Sequence, residues 1–138
     1  MTATGEKFTA TELNTTIKYM HDNNMYKEMV IYWETCESGS MFENHLPNDI
    51  NVYALSAANA SESSWGTYCS PDDEVDGKHM GTCLGDLFSV NFMEDSDQST
   101  MKAESLKEQF TKVKEETQKS HVMQWGQISM DSEPISHF

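Results

Sequence analysis

Three observations predict an α/β fold with a mainly parallel open sheet. The run Met29-Val30-Ile31-Tyr32-Trp33 is apolar, β-branched and aromatic, as a fully buried strand is. A second run, Ile50 to Ser56 with Val52 and Tyr53 at its centre, has the same character. Segments with helical periodicity precede the first run and follow the second. The order is helix, strand, strand, helix, helix, strand, and strands spaced by helices imply mainly parallel pairing. Two or three strands make a small sheet with exposed edges, which reads as half of a domain.

Each element has its own signal. Thr9-Ala10-Thr11-Glu12 has capping-box spacing, with Thr9 as N-cap and Glu12 three residues on. Leu13, Ile17 and Met20 then fall on one helical face. Asn23-Asn24 should end this helix, because Asn tolerates the left-handed cap. The first strand stops in a small polar turn that contains Cys36. A loop with Pro47 leads to the second strand, and Ala57 to Trp65 is a small-residue loop expected at that strand's carboxyl end. Cys69 and Cys83 bracket a surface loop rich in Asp, Gly and Pro. Leu84, Leu87, Phe88 and Asn91-Phe92 predict a short helix. Leu106, Phe110 and Val113 predict a longer one from Thr100 to Lys119, with Glu108/Lys112 and Glu115/Lys119 as i,i+4 pairs. His121 to Trp125 is expected as the last strand, and residues 127–138 as a polar tail.

Composition narrows the function. The 138 residues suffice for one domain with a modest core. The formal net charge is −14, with only nine Lys and Arg. Phosphate backbones need clustered cations, so nucleic acid and anionic membranes are excluded as partners. No apolar stretch approaches the length of a membrane span. Met1 to Lys7 has no apolar core and is not a signal peptide. Three cysteines are read most economically as one loop-closing disulfide, Cys69–Cys83, plus a free thiol at Cys36. Such a bridge stabilises by about 3 kcal/mol on chain entropy and needs an oxidising compartment. Two sequons, at Asn14 and Asn59, fit a secretory route.

The candidate chemistry centres on Cys36. A thiol at the carboxyl end of a central strand of an open sheet sits where such folds place reactive groups. Glu34, two residues earlier, should share its side of the sheet. Glu34 and Glu37 push a thiol's pKa the wrong way for a nucleophile, so Cys36 would need a His partner. His21, His45, His79, His121 and His137 are each expected as surface residues. Asp86 follows Gly85 at a helix start, where a carboxylate complements the helix N-terminus. Asp72, Glu74 and Asp76-Gly77 open like a calcium loop, but Cys83 stands where the bidentate Glu should be. Cys69, His79 and Cys83 lack the close Cys pair of a zinc site. No metal or cofactor is implied.

Glu34-Thr35-Cys36-Glu37-Ser38-Gly39-Ser40 closely resembles the legumain motif Glu-Ala-Cys-Glu-Ser-Gly-Ser. Legumains are asparaginyl endopeptidases. The likeness continues through Asn51-Val52-Tyr53-Ala54, Ser56-Ala57-Ala58-Asn59 and Glu62-Ser63-Ser64-Trp65-Gly66-Thr67-Tyr68-Cys69. It resumes at Cys83-Leu84-Gly85-Asp86-Leu87-Phe88-Ser89-Val90 and Met93-Glu94-Asp95-Ser96, and ends with Ser120-His121-Val122-Met123-Gln124. It covers residues 1–126, and its Cys69/Cys83 pair looks most like the loop disulfide of plant-type legumains.

The resemblance implies a caspase-like three-layer sandwich, here the C-terminal half of a peptidase domain. It implies that Cys36 is the nucleophile and that Glu34, Ser63 and Asp86 line a pocket for the substrate Asn side chain. Ser64 and Trp65 match the strip along which the substrate backbone runs. It also implies peptide or protein substrates cut after Asn, weakly after Asp at acid pH, and a lysosomal, vacuolar or secreted location. In that family the catalytic His sits upstream of the nucleophile in Asp-His-Gly, whereas no His-Gly pair occurs here. The chain alone is therefore expected to be inactive. A truncated, peptide-binding decoy is the alternative. A GPI-anchor transamidase subunit is disfavoured, because its motif lacks the Glu-Ser-Gly-Ser continuation.

Overall fold

The computed structural model describes residues 7–98 and 104–138. Helix α1 (Ala10–Asp22) opens on the expected capping box. The Thr9 hydroxyl accepts from the Glu12 N–H at 3.2 Å, and the Glu12 carboxylate accepts from the Thr9 N–H at 2.8 Å. Past its end, Asn24 takes the left-handed conformation at φ 52°. Strand β1 (Met29–Trp33) follows, then a 3₁₀ turn (Ser38–Met41) and strand β2 (Val52–Ser56). Four two-residue strands come next: β3 (Gly66–Thr67), β4 (Glu74–Val75), β5 (Lys78–His79) and β6 (Gly85–Asp86). Helices α2 (Leu87–Gln98) and α3 (Leu106–Glu116) lead to strand β7 (Met123–Gly126). Two 3₁₀ turns, Ile128–Ser132 and Ile135–His137, close the chain.

The main sheet has the order β1-β2-β7. β1 runs parallel to β2, with Met29 opposite Val52 and Trp33 opposite Ser56. β7 returns antiparallel on the other flank, with Tyr53 opposite Gly126 and Ser56 opposite Met123. Strand alternation sorts the side chains into three layers. Val52, Met29 and Ile31 pack with Ile17 and Leu13 of α1 on one face. Tyr53, Leu55, Val30 and Tyr32 pack with Phe88 and Phe92 of α2 and with Leu106 and Val113 of α3 on the other. β2 is flanked on both sides and buried at every residue.

Several expectations need correction. β1 is half-buried along its whole length rather than fully buried, because among the described residues only β2 pairs with it. Among the described residues it is an edge strand of the sheet. The Cys69–Cys83 loop is closed by the disulfide and contains a hairpin, β4–β5. Asp76 (φ 51°) and Gly77 (φ 78°) form its turn, the left-handed pair that a two-residue hairpin requires. The short helix begins only at Leu87, which leaves Leu84 exposed and Asp86 in β6. Thr100, the expected start of the longer helix, lies outside the described residues.

That helix is capped instead by Ser105, whose hydroxyl exchanges hydrogen bonds with Glu108 in a second capping box. Glu108 is therefore committed to the cap, and Lys112 pairs with the buried Asp95 of α2 rather than with Glu108. Lys119 lies past the end of α3, beyond reach of an i,i+4 helical pair. Asn14 is buried, and its amide donates to the Ala10 and Met41 carbonyls, so its sequon is not presented.

Residues 127–138 are not a free polar tail. The Leu106 N–H donates to the Glu133 carbonyl at 3.0 Å, and the Ile135 N–H to the Glu104 carbonyl at 2.9 Å. Met130 is 5% exposed within the core cluster. Met130→Ala should therefore cost about 2–5 kcal/mol in chemical denaturation of the natural protein. A loss below about 1 kcal/mol, the range of surface changes, would show that the tail is not part of the core.

Candidate active site

The segment after β1 is shaped by one buried peptide. The Ser38 hydroxyl accepts from the Ala58 N–H at 2.8 Å and donates to the Ala58 carbonyl at 3.2 Å. The Gly39 N–H donates to the same carbonyl at 3.1 Å. A Cβ on Gly39 would lie 2.8 Å from backbone atoms of Asn59 and Ala60, so only glycine fits. Glu37 must then adopt φ 55° to turn the chain. Cys36 is left exposed at the apex, just past the carboxyl end of β1.

The loop leaving β2 passes beside the thiol. Cys36 Sγ lies 3.8 Å from the Ser64 carbonyl oxygen and 4.0 Å from Ser64 Oγ. The Glu37 N–H donates to the Glu62 carbonyl at 2.7 Å. The Glu62 carboxylate accepts from the Asn59 N–H, the His121 N–H and the His121 ring, each at 2.8 Å. Burial opposes its charge, yet these donors hold the Glu62 carboxyl below the usual glutamate range. Ser63 is exposed and Trp65 is 51% exposed. The Trp65 carbonyl accepts the Leu87 N–H at 2.8 Å, which fixes the strip to the start of α2.

Glu34 reaches the same helix start. One carboxylate oxygen accepts the Ser89 N–H at 2.9 Å and the Ser89 hydroxyl at 3.0 Å. It thus caps a helix N-terminus from outside the helix. The other oxygen, Oε1, is buried without a well-formed hydrogen bond. Burial raises the Glu34 pKa against the pull of Ser89, and the nearby Asp86 charge adds to the rise. Asp86 itself is exposed in β6, opposite Gly66 of β3.

Cys36 and Glu34 share a groove of about 460 Å³ with Phe8, Trp33, Ser40 and Met41. The structure therefore brings Cys36, Glu34 and Ser64 together, with Trp65 following Ser64 just before β3 and Asp86 in β6 close enough to act on the Glu34 charge. Among the described residues no histidine hydrogen-bonds Cys36. His45, His79, His121 and His137 are exposed and His21 half-exposed; all but His45 lie against carboxylates. Sequence reasoning missed Ser89 and Glu62. The free N–H groups of a helix starting at Leu87 were the available signal for Ser89. No local pattern pointed to Glu62.

Comparison with known proteins identifies the family. The Peptidase C13 family matches residues 1–138. The chain is 50% identical over 127 residues to a legumain of Mus musculus, covering 92% of this chain and 27% of the relative. It is 47% identical over 126 residues to a vacuolar-processing enzyme of Glycine max, covering 86% and 26%. It is 41% identical over 140 residues to the vacuolar-processing enzyme delta-isozyme of Arabidopsis thaliana, covering 98% and 30%. The chain thus spans under a third of the length of these relatives. With a mixed α/β sandwich, an exposed thiol at a strand end and these matches, the chain belongs to the Peptidase C13 family.

Proposed function

We propose that the protein containing this chain is a cysteine-type endopeptidase that cleaves peptide bonds after asparagine, with Cys36 as nucleophile. The observation that supports this best is the exposed Cys36 thiol between the Glu34 groove and the Ser64 strip. A histidine base outside the described residues would take the thiol proton. The thiolate would add to the scissile carbonyl carbon, with the Cys36 N–H facing the developing oxyanion. The C–N bond then breaks, the amine leaves with a proton, and a thioester remains on Cys36. Water adds to the thioester and releases the acid and the free thiol. A second peptide's amine in place of water would form a new peptide bond. Without that histidine, the 138 residues alone should turn over substrate negligibly.

Specificity for Asn follows from the donor and acceptor inventory. The carboxylates of Glu34 and Asp86 accept from the substrate amide NH₂, and the Ser63 hydroxyl donates to its carbonyl. A site built this way rejects apolar side chains, which would leave its polar groups unpaired. Vacuolar or lysosomal residence is proposed from the names of the relatives, and the Cys69–Cys83 disulfide fits an oxidising compartment.

Cys36→Ala in the natural protein should lower turnover of an Asn-containing reporter by about 10³-fold or more. Reporter bound with unchanged affinity and never cut, even by the unmutated protein, would replace the peptidase with a decoy. Acidity supplies a second test. The raised pKa of Glu34 means that it takes up a proton above the ordinary glutamate value of 4.5 as pH falls. A neutral Glu34 donates to an Asp substrate instead of repelling it. The ratio of Asp to Asn cleavage should therefore rise as pH falls through that range, and Glu34→Gln should flatten the rise. A ratio independent of pH in the unmutated protein would remove Glu34 from the pocket.

A further inference from the structure

Resting on the proposed role of Cys36 as nucleophile, we infer that Glu62 is a positioning residue for the Cys36 thiol. It occupies a junction of three segments distant in sequence. Its carboxylate oxygen Oε1 accepts from the Asn59 N–H, on the loop leaving β2, and from the His121 N–H, just before β7. Oε2 accepts from the His121 ring. Both donor segments are tied to the sheet. Ser120 Oγ donates to the Ala57 carbonyl at 2.6 Å, and β7 pairs along β2. The Glu62 side chain is only 23% exposed, so charge-assisted bonds fix it in a partly dry site.

The main chain of the same residue then acts on the nucleophile. The Glu62 carbonyl accepts the Glu37 N–H at 2.7 Å. Glu37 holds a left-handed conformation that a residue with a side chain keeps only when its surroundings enforce it. Two residues beyond Glu62, the Ser64 carbonyl and hydroxyl face Cys36 Sγ. Residues 63–65 have no regular structure, and they are held at one end by Glu62 and at the other by the Trp65–Leu87 bond. Removing the carboxylate frees the first anchor. The Glu37 turn and the surroundings of the thiol then loosen together, although the Glu62 side chain makes no hydrogen bond to the sulfur.

The test uses the natural full-length protein with Glu62→Ala, Glu62→Asp and Glu62→Gln. Gln keeps an acceptor for both backbone N–H groups and can donate to the neutral imidazole. Asp retracts the oxygens by one methylene. Two readouts are taken per folded molecule: the rate of Cys36 alkylation by iodoacetamide across pH, and kcat and KM on an Asn reporter. Ala and Asp should lower the alkylation rate and kcat about ten-fold or more, while KM stays within about two-fold. Gln should restore both to within about two-fold, with no displacement of the alkylation pH profile. If Ala does not fold, Asp decides. Unchanged alkylation and kcat per folded molecule in the folded short-chain variants would overturn the assignment. So would a Gln variant as impaired as Asp, or one whose gain is a displaced thiol pH profile. Alkylation needs no peptidase activity, so failure of the proposed function would appear separately, as turnover that survives Cys36→Ala.

Discussion

The peptide at Ala58 collects the bonds on which the rest of the site depends. Its carbonyl receives the Ser38 hydroxyl, the Gly39 N–H and the Ser56 hydroxyl, while its N–H is taken by Ser38 Oγ. Ser56 Oγ in turn accepts the Trp125 indole N–H at 2.8 Å, which brings β7 into the same cluster. Ser38, Ser56 and Ala58 are inaccessible to solvent. A buried polar group left unpaired costs about 1–3 kcal/mol, so each member constrains the others. The carboxyl ends of β1 and β2 and the antiparallel β7 are thereby fixed together at one end of the sheet.

This clasp explains why a thiol can stand exposed on an ordered turn. Ser38 and Gly39 face inward and carry the packing, and Cys36 is the residue pushed outward. Glu34 uses the neighbouring α2 N-terminus as its partner, and the Trp65 carbonyl uses the Leu87 N–H of the same helix start. The start of α2 thus serves both sides of the thiol. A short, rigid sheet end supplies positions that none of these loops could hold alone.

Much of the fold was legible because its signals are local. The Thr9–Glu12 box, the apolar runs of β1 and β2 and the Asn24 cap all lie within a few residues of the elements they define. The Ser105–Glu108 box was equally local and was masked by the assumption that α3 starts near Thr100. The Asp76-Gly77 hairpin was hidden by its likeness to a metal loop. β1 was expected to be buried on composition, but burial also depends on which strands flank it. At the site, Glu34 and Cys36 do share a groove, but both lie past the end of β1, so the turn after the strand rather than strand alternation places them there. The Ser89 and His121 contacts join residues more than fifty positions apart, and no periodicity encodes such pairs. The tail was missed for the same reason: Met130 and Ile135 are isolated apolar residues whose burial is set by α3.

The central claim is that the Ser38–Ala58 clasp holds the Cys36 turn. Native-state hydrogen exchange of the Gly39 and Ala58 amides, compared between the natural protein and Ser38→Ala, tests it most directly. The account predicts strong protection of both amides in the natural protein. In the variant both should exchange faster together, while the β1–β2 ladder keeps its protection. A Gly39 amide that stays protected while Ala58 opens would contradict it, because the turn would then be held by something other than this clasp.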